Sequence, residues 1–124
     1  MKIIVCGGRD FTDYAFIFRA LNRLHAKRPI THVIEGGQRT RDPHTREIIG
    51  GADYWGMRWA KRNGIPFETV KANWDRDGKA AGPIRNNKMA EMKPDLVVAF
   101  KGGTGTASMI EITKRAGIEV MEIA

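Results

Sequence analysis

The chain is short of the features that mark several large protein classes. Cys6 is the only cysteine among 124 residues, so no internal disulfide can form. It follows Ile3-Ile4-Val5 and reads as a small buried residue rather than a nucleophile. No apolar run approaches the roughly 20 residues that span a bilayer, so no transmembrane helix is expected. Met1-Lys-Ile-Ile-Val-Cys-Gly-Gly is too short an apolar run for a signal peptide and lacks its layout, which predicts a cytosolic protein. No Gly-x-Gly-x-x-Gly follows the first apolar run, which argues against a dinucleotide redox enzyme. No Gly-Lys-Ser/Thr or Gly-x-Ser-x-Gly occurs, which argues against a Walker-type NTPase and a serine-elbow hydrolase. His25, His32 and His44 are not at ligand spacing and no cysteine cluster joins them, so no metal or other cofactor is expected.

What is present fits one globular domain over residues 1–124: 42% hydrophobic and 28% charged residues. The net charge of +7 favours anionic partners without choosing among them. The basic residues are not gathered along one helix or interleaved with stacking aromatics, so nucleic-acid binding is possible but not favoured.

The most informative stretch is Ala99-Phe-Lys-Gly-Gly-Thr-Gly-Thr-Ala-Ser108. The β-branched run Asp95–Phe100 before it reads as a buried strand, and Ala107–Ala116 after it as a helix. A glycine-rich turn from strand into helix lets backbone approach a ligand and aims unpaired N–H groups and a helix dipole at it. The natural occupant is an anion, most often phosphate, on Gly102, Gly103, Thr104, Gly105 and Thr106. The alternative is that the glycines only make a tight turn.

The rest of the chain repeats the pattern. Lys2–Cys6 reads as a central strand ending in Gly7-Gly8-Arg9. Thr12 or Asp13 can cap a helix over 14–26 with Phe16, Ile17, Ala20, Leu21 and Leu24 on its core face. Thr31–Glu35 is a second strand, ended by Gly36-Gly37. Residues 38–49, holding Arg39, Arg41, His44 and Arg46, read as a basic loop, either folded over a ligand or simply solvated. A helix over 53–63 stops at Asn63-Gly64. Pro66–Val70 is the third strand, followed by a long loop with Trp74, which suits either base stacking or packing. Pro83 sits where the first position of the next helix should be, and Arg85 and Asn86 fall within its first turns. Arg85 can meet phosphate, or pair with Asp75 or Asp77. Trp55 and Trp59, four apart on a helix, read as core. Ile118–Ile123 reads as an edge strand. The order β-α-β-α-β-α-β-α-β predicts an α/β, Rossmann-like, three-layer domain around a mostly parallel five-stranded sheet. The glycine pairs Gly7-Gly8, Gly36-Gly37 and Gly102-Gly103 then all lie at carboxyl strand ends, where such sheets bind ligands.

Val5-Cys-Gly-Gly-Arg-Asp-Phe11, Gly51-Ala-Asp53, Trp74 with Gly78-Lys-Ala-Ala-Gly-Pro-Ile-Arg-Asn86 and Met89, and Ala99–Thr106 resemble the YspA-like branch of the SLOG superfamily. That superfamily includes the Lonely Guy phosphoribohydrolases, the Rossmann-like domain of the DNA-processing protein DprA, and ligand sensors of bacterial immune systems. The resemblance implies a nucleotide or nucleotide-derived ligand and a homo-oligomer, dimer or tetramer. It implies a ligand site built from Gly7, Gly8, Arg9, Gly36, Gly37, Asp53, Trp74, Arg85, Asn86 and Gly102–Thr106. The expected role is a sensor or binding module, with an N-glycosidase acting on nucleoside monophosphates as the alternative. Lonely Guy enzymes carry a glutamate three residues after the last threonine of the turn; here that position is Met109. Arg85, Glu35 and Asp53 are the remaining catalytic candidates. The 38–49 segment is a second departure, because typical relatives place Gly36-Gly37 close to Gly51-Ala-Asp53.

Overall fold

A computed structural model describes all of residues 1–124. Five parallel strands form the central sheet: β1 (Lys2–Cys6), β2 (His32–Glu35), β5 (Phe67–Thr69), β6 (Leu96–Phe100) and β7 (Glu119–Ile123), in the spatial order β5-β2-β1-β6-β7. In register, Ile3 pairs with Val33 on one side and Leu96 on the other. β1 and β6 are covered on both faces, which is why Ile3–Val5 and Leu96–Phe100 are continuous apolar runs. β7 lies at the edge, as expected, with Glu119 and Glu122 exposed.

Two helices cover each face. On one face lie α1 (Tyr14–Lys27) and α2 (Ala52–Arg62). Asp13 caps α1 by accepting from the Phe16 N–H at 3.1 Å, and Ile17, Leu21 and Leu24 turn inward onto Ile3, Val5, Leu96 and Val98. Trp59 is fully buried in this layer, and its indole N–H donates to Asn22 Oδ1 at 2.8 Å. On the opposite face lie α4 (Ala81–Glu91) and α5 (Thr104–Arg115), whose Met89 and Met109 pack on Ile4, Cys6, Val97 and Ala99. No helix is long and apolar enough to cross a membrane.

Two segments depart from the expectation. Residues 38–49 are not a plain loop: β3 (Thr40–Arg41) and β4 (Ile48–Gly50) pair as a short antiparallel hairpin. Its turn is held by Asp42 Oδ1, which accepts the N–H groups of His44 and Thr45, and Arg46 takes a left-handed conformation. Those bonds hold the Asp42 carboxyl below its usual range. Thr40 Oγ1 fastens the hairpin to the Arg9 carbonyl at 2.6 Å. The stretch after β5 is likewise ordered, as α3 (Trp74–Asp77), capped by Asn73, and a 3-10 turn over Gly78–Ala80. Pro83 is therefore the third residue of α4 rather than its first, still within the turn whose N–H groups have no intrahelical partner.

From β1 the chain moves outward through β2 to β5, then returns to place β6 on the other side of β1. The connections diverge between β1 and β6, and this topological switch point is where a crevice opens.

Candidate functional site

A cavity of about 500 Å³ lies at the carboxyl ends of the strands. Because all five strands are parallel, the glycine pairs after β1, β2 and β6 emerge on this one edge. Gly7, Gly8, Arg9, Gly36, Asp53, Trp74, Arg85, Asn86 and Gly103–Thr106 all line it. Gly37 and Gly102 stand behind the lining rather than in it, and so does Glu35.

Gly102 has a packing role. A Cβ there would sit 2.1 Å from Thr106 Oγ1, 2.8 Å from the Gly8 nitrogen and 2.9 Å from the Gly7 carbonyl carbon. Only glycine lets the β6 turn press this closely on the β1 turn. Above Gly103 and Gly105, by contrast, nothing lies within 4 Å of a built Cβ.

Gly103 is the N-cap of α5 and supplies no side-chain cap. The N–H groups of Thr104, Gly105 and Thr106 have no acceptor in the chain. Three unpaired donors at the positive end of a twelve-residue helix thus line the cavity wall.

Arg85 comes from α4 and is 7% exposed. Its Nη1 donates to the Gly36 carbonyl at 2.6 Å and its Nε to Asn86 Oδ1 at 2.8 Å. Asn86 Nδ2 in turn donates to the Gly105 carbonyl at 3.3 Å, tying Arg85 to the first turn of α5. Asp77 pairs with Arg76, and no carboxylate lies within 4.0 Å of the Arg85 guanidinium. Arg85 Nη2 has no partner, yet no buried polar side-chain atom goes unsatisfied, so Nη2 keeps surface in the cavity it lines. A buried cation without a counter-ion is costly unless something else supplies the negative charge.

Asp53, in the first turn of α2, is 4% exposed. Its Oδ2 accepts the Gln38 N–H at 3.1 Å. Burial first, then the nearby Glu35 carboxylate, push its pKa up to about 7, against the pull of the Gln38 N–H, Arg85 and Arg39. Cys6 also borders the cavity; it is buried, as expected, and burial together with Asp53 pushes its thiol pKa far up.

Glu35 is fully buried, and its acceptor capacity is used internally. It takes the Gly37 N–H at 2.8 Å, the Arg39 guanidinium at 2.9 and 3.3 Å, and the Thr69 hydroxyl. Arg39 also lies over the Tyr54 ring at 5.1 Å. This arrangement anchors the start of the hairpin beside the cavity. Trp74 also lines the cavity and is 54% exposed, and a Cβ on Gly82 would lie 3.5 Å from its Cη2. Gln38 and Asp10 line the cavity too and were not among the expected site residues, although Asp10 lies in the Gly7-Gly8-Arg9-Asp10 stretch and Gln38 follows Gly36-Gly37. No three His, Cys, Asp or Glu side chains converge to hold a metal ion.

Five parallel strands, helices on both faces and a polar cavity at the switch point define a Rossmann-like α/β protein with a cavity on its carboxyl rim. The family model for YAcAr, the YspA, cpYpsA-related SLOG family, matches residues 1–76. The chain belongs to this family. It is also 32% identical over 123 residues to the Gene 61 protein of Mycobacterium phage D29, covering 97% of this chain and 94% of that relative. The family match takes in the β1 and β2 turns, Asp53 and Trp74; the Gly102–Thr106 turn lies beyond it.

Proposed function

We propose that the cavity binds the phosphate of a nucleotide-derived ligand and that the protein serves as a binding module or sensor. The observation that carries this is the meeting of uncapped α5 N–H groups and a buried, unpaired Arg85 on one cavity. Trp74 offers a ring on which a base can stack. Membership of a SLOG family supports a nucleotide-related ligand. The test is a thermal-shift titration with AMP and ADP-ribose, in which a ligand at 100 times its Kd stabilises by about 2.7 kcal/mol. Gly103→Asp places a carboxylate in open space on the phosphate position and should abolish the shift without a steric clash. No shift with either compound, or an undiminished shift in Gly103→Asp, contradicts the reading.

A second reading, cleavage of the N-glycosidic bond of a nucleoside monophosphate, draws on Asp53. A carboxyl with a pKa of about 7 beside the cavity is suited to proton transfer near neutrality. Met109 lines the cavity at the position where Lonely Guy enzymes carry their glutamate, and it supplies no acid. Release of free base from a panel of nucleoside monophosphates, lost in Asp53→Asn, would establish cleavage; no release across the panel would dismiss it.

A further inference from the structure

Asp53 and Arg85 leave unused hydrogen-bonding capacity in the same place. Asp53 Oδ2 is engaged by Gln38, but Oδ1 has no partner. Arg85 spends Nη1 and Nε, but Nη2 has none. Both residues are more than nine-tenths buried, and both line the cavity. They flank Gly36 so closely that a Cβ there would lie 2.7 Å from Arg85 Nη1 and 3.1 Å from Asp53 Oδ2. Yet they form no ion pair with each other, since no Asp53 oxygen comes within 4.0 Å of Arg85. Each residue therefore keeps one unused polar atom, Asp53 Oδ1 as an acceptor and Arg85 Nη2 as a donor, on the wall of the same cavity.

Their place along the rim is fixed by the sheet. Reading across the carboxyl ends, Trp74 stands on the segment leaving β5, Gly36 with Arg85 and Asp53 at β2, Gly7-Gly8 at β1, and the Gly103–Thr106 turn at β6. The Asp53–Arg85 couple thus lies between the aromatic ring and the phosphate-binding turn. In a nucleotide, the part between base and phosphate is the sugar.

We propose that Asp53 and Arg85 form a ribose-reading subsite, in which Asp53 accepts hydrogen bonds from the vicinal 2′,3′-diol of the ligand and Arg85 donates to the same oxygens. This rests on the phosphate-binding reading above. Each hydroxyl of a diol both donates and accepts, so it satisfies the two groups together. A ligand lacking one hydroxyl leaves a buried charged group unpaired, and such a site discriminates strongly. The ionised Asp53 is the stronger acceptor. The charged groups that face it are Glu35 from β2, Arg39 from the segment leading into the hairpin and Arg85 from α4, with the Cys6 thiol of β1 nearby.

The experiment compares AMP, 2′-deoxy-AMP and inorganic phosphate by calorimetry on the full chain, with wild type, Asp53→Ala and Asp53→Asn. Wild type should bind AMP roughly ten- to hundredfold more tightly than 2′-deoxy-AMP. Asp53→Ala should reduce that ratio to near one with inorganic phosphate still bound, and Asp53→Asn should keep a small part of it. In wild type the ratio should shrink as the pH falls from 8 to 6, because Asp53 takes up a proton; phosphate ionisation is common to both nucleotides and cancels. Equal affinity for the two nucleotides in wild type overturns the inference and leaves phosphate binding standing. If that equality comes with weaker binding of both in Asp53→Ala, the couple reads the base edge instead, which also overturns it. Binding of none of the three probes overturns the phosphate reading and this inference with it.

Discussion

Gly102 and Gly103 are neighbours with opposite expected responses to the same substitution. Gly102→Ala puts a methyl 2.8 and 2.9 Å from backbone atoms of Gly8 and Gly7, and 2.1 Å from Thr106 Oγ1. The Thr106 hydroxyl can rotate away, but the β1 turn cannot give without disturbing the Gly8 N–H, which donates to the Lys101 carbonyl at 2.8 Å. Overpacking of this kind costs about 1–3 kcal/mol, and contact with backbone puts it in the upper half of that range. Gly103→Ala meets nothing within 4 Å. It loses a little as an N-cap and gains a little from the reduced freedom of the unfolded chain, leaving stability within about 1 kcal/mol of the parent. For a chain of this size, each kcal/mol moves Tm by roughly 3–6 °C. Urea denaturation and thermal melts of both variants should show a clear drop for Gly102→Ala and almost none for Gly103→Ala. Equal losses, or a larger loss at Gly103, would refute the assignment of Gly102 to turn packing and Gly103 to open cavity.

Two further predictions concern the acids beside the cavity. Glu35→Ala strips Arg39, Thr69 and Gly37 of their shared acceptor and should cost about 3–5 kcal/mol in urea denaturation, whereas a loss under 1 kcal/mol would mean that the buried network is dispensable. Asp53 has a pKa near 7 in the fold against about 3.9 unfolded, so between those values the folded state holds the extra proton and stability falls as pH rises. The penalty is fully developed above pH 7 at roughly 4 kcal/mol, so Asp53→Asn should be more stable than the parent at pH 8, with the gain vanishing toward pH 4. A pH-independent difference in urea denaturation would contradict the assignment.

The sheet was legible because its strands are short, β-branched and closed by glycine pairs or turn residues, and because alternation with helices leaves few topologies. Asn63-Gly64 as a stop and Trp59 as core follow from the same local rules, which narrowed the α1 cap to Thr12 or Asp13; the fold uses Asp13. The hairpin was not legible. Its two strands span two and three residues, and its anchors, the Arg9 carbonyl and Glu35, lie elsewhere along the chain. α3 is a single turn with no periodicity to read. The candidate site was legible as a list of turns but not as an arrangement. The contact of Arg85 with Gly36 joins residues 49 apart, and nothing local distinguishes an arginine that meets a carbonyl from one that meets an acid. Glu35 shows the converse: an acid at a strand end reads as a site residue, and only the fold shows its oxygens engaged by Gly37, Arg39 and Thr69.

The central claim is that an anion sits on the first turn of α5. Titration of the ¹⁵N-labelled protein with AMP, followed by backbone amide shifts, tests it directly. The amides of Thr104, Gly105 and Thr106 should move most, saturably, together with the Arg85 side-chain signal. Shifts confined to other surfaces, or an unmoved α5 turn at saturating nucleotide, would contradict it.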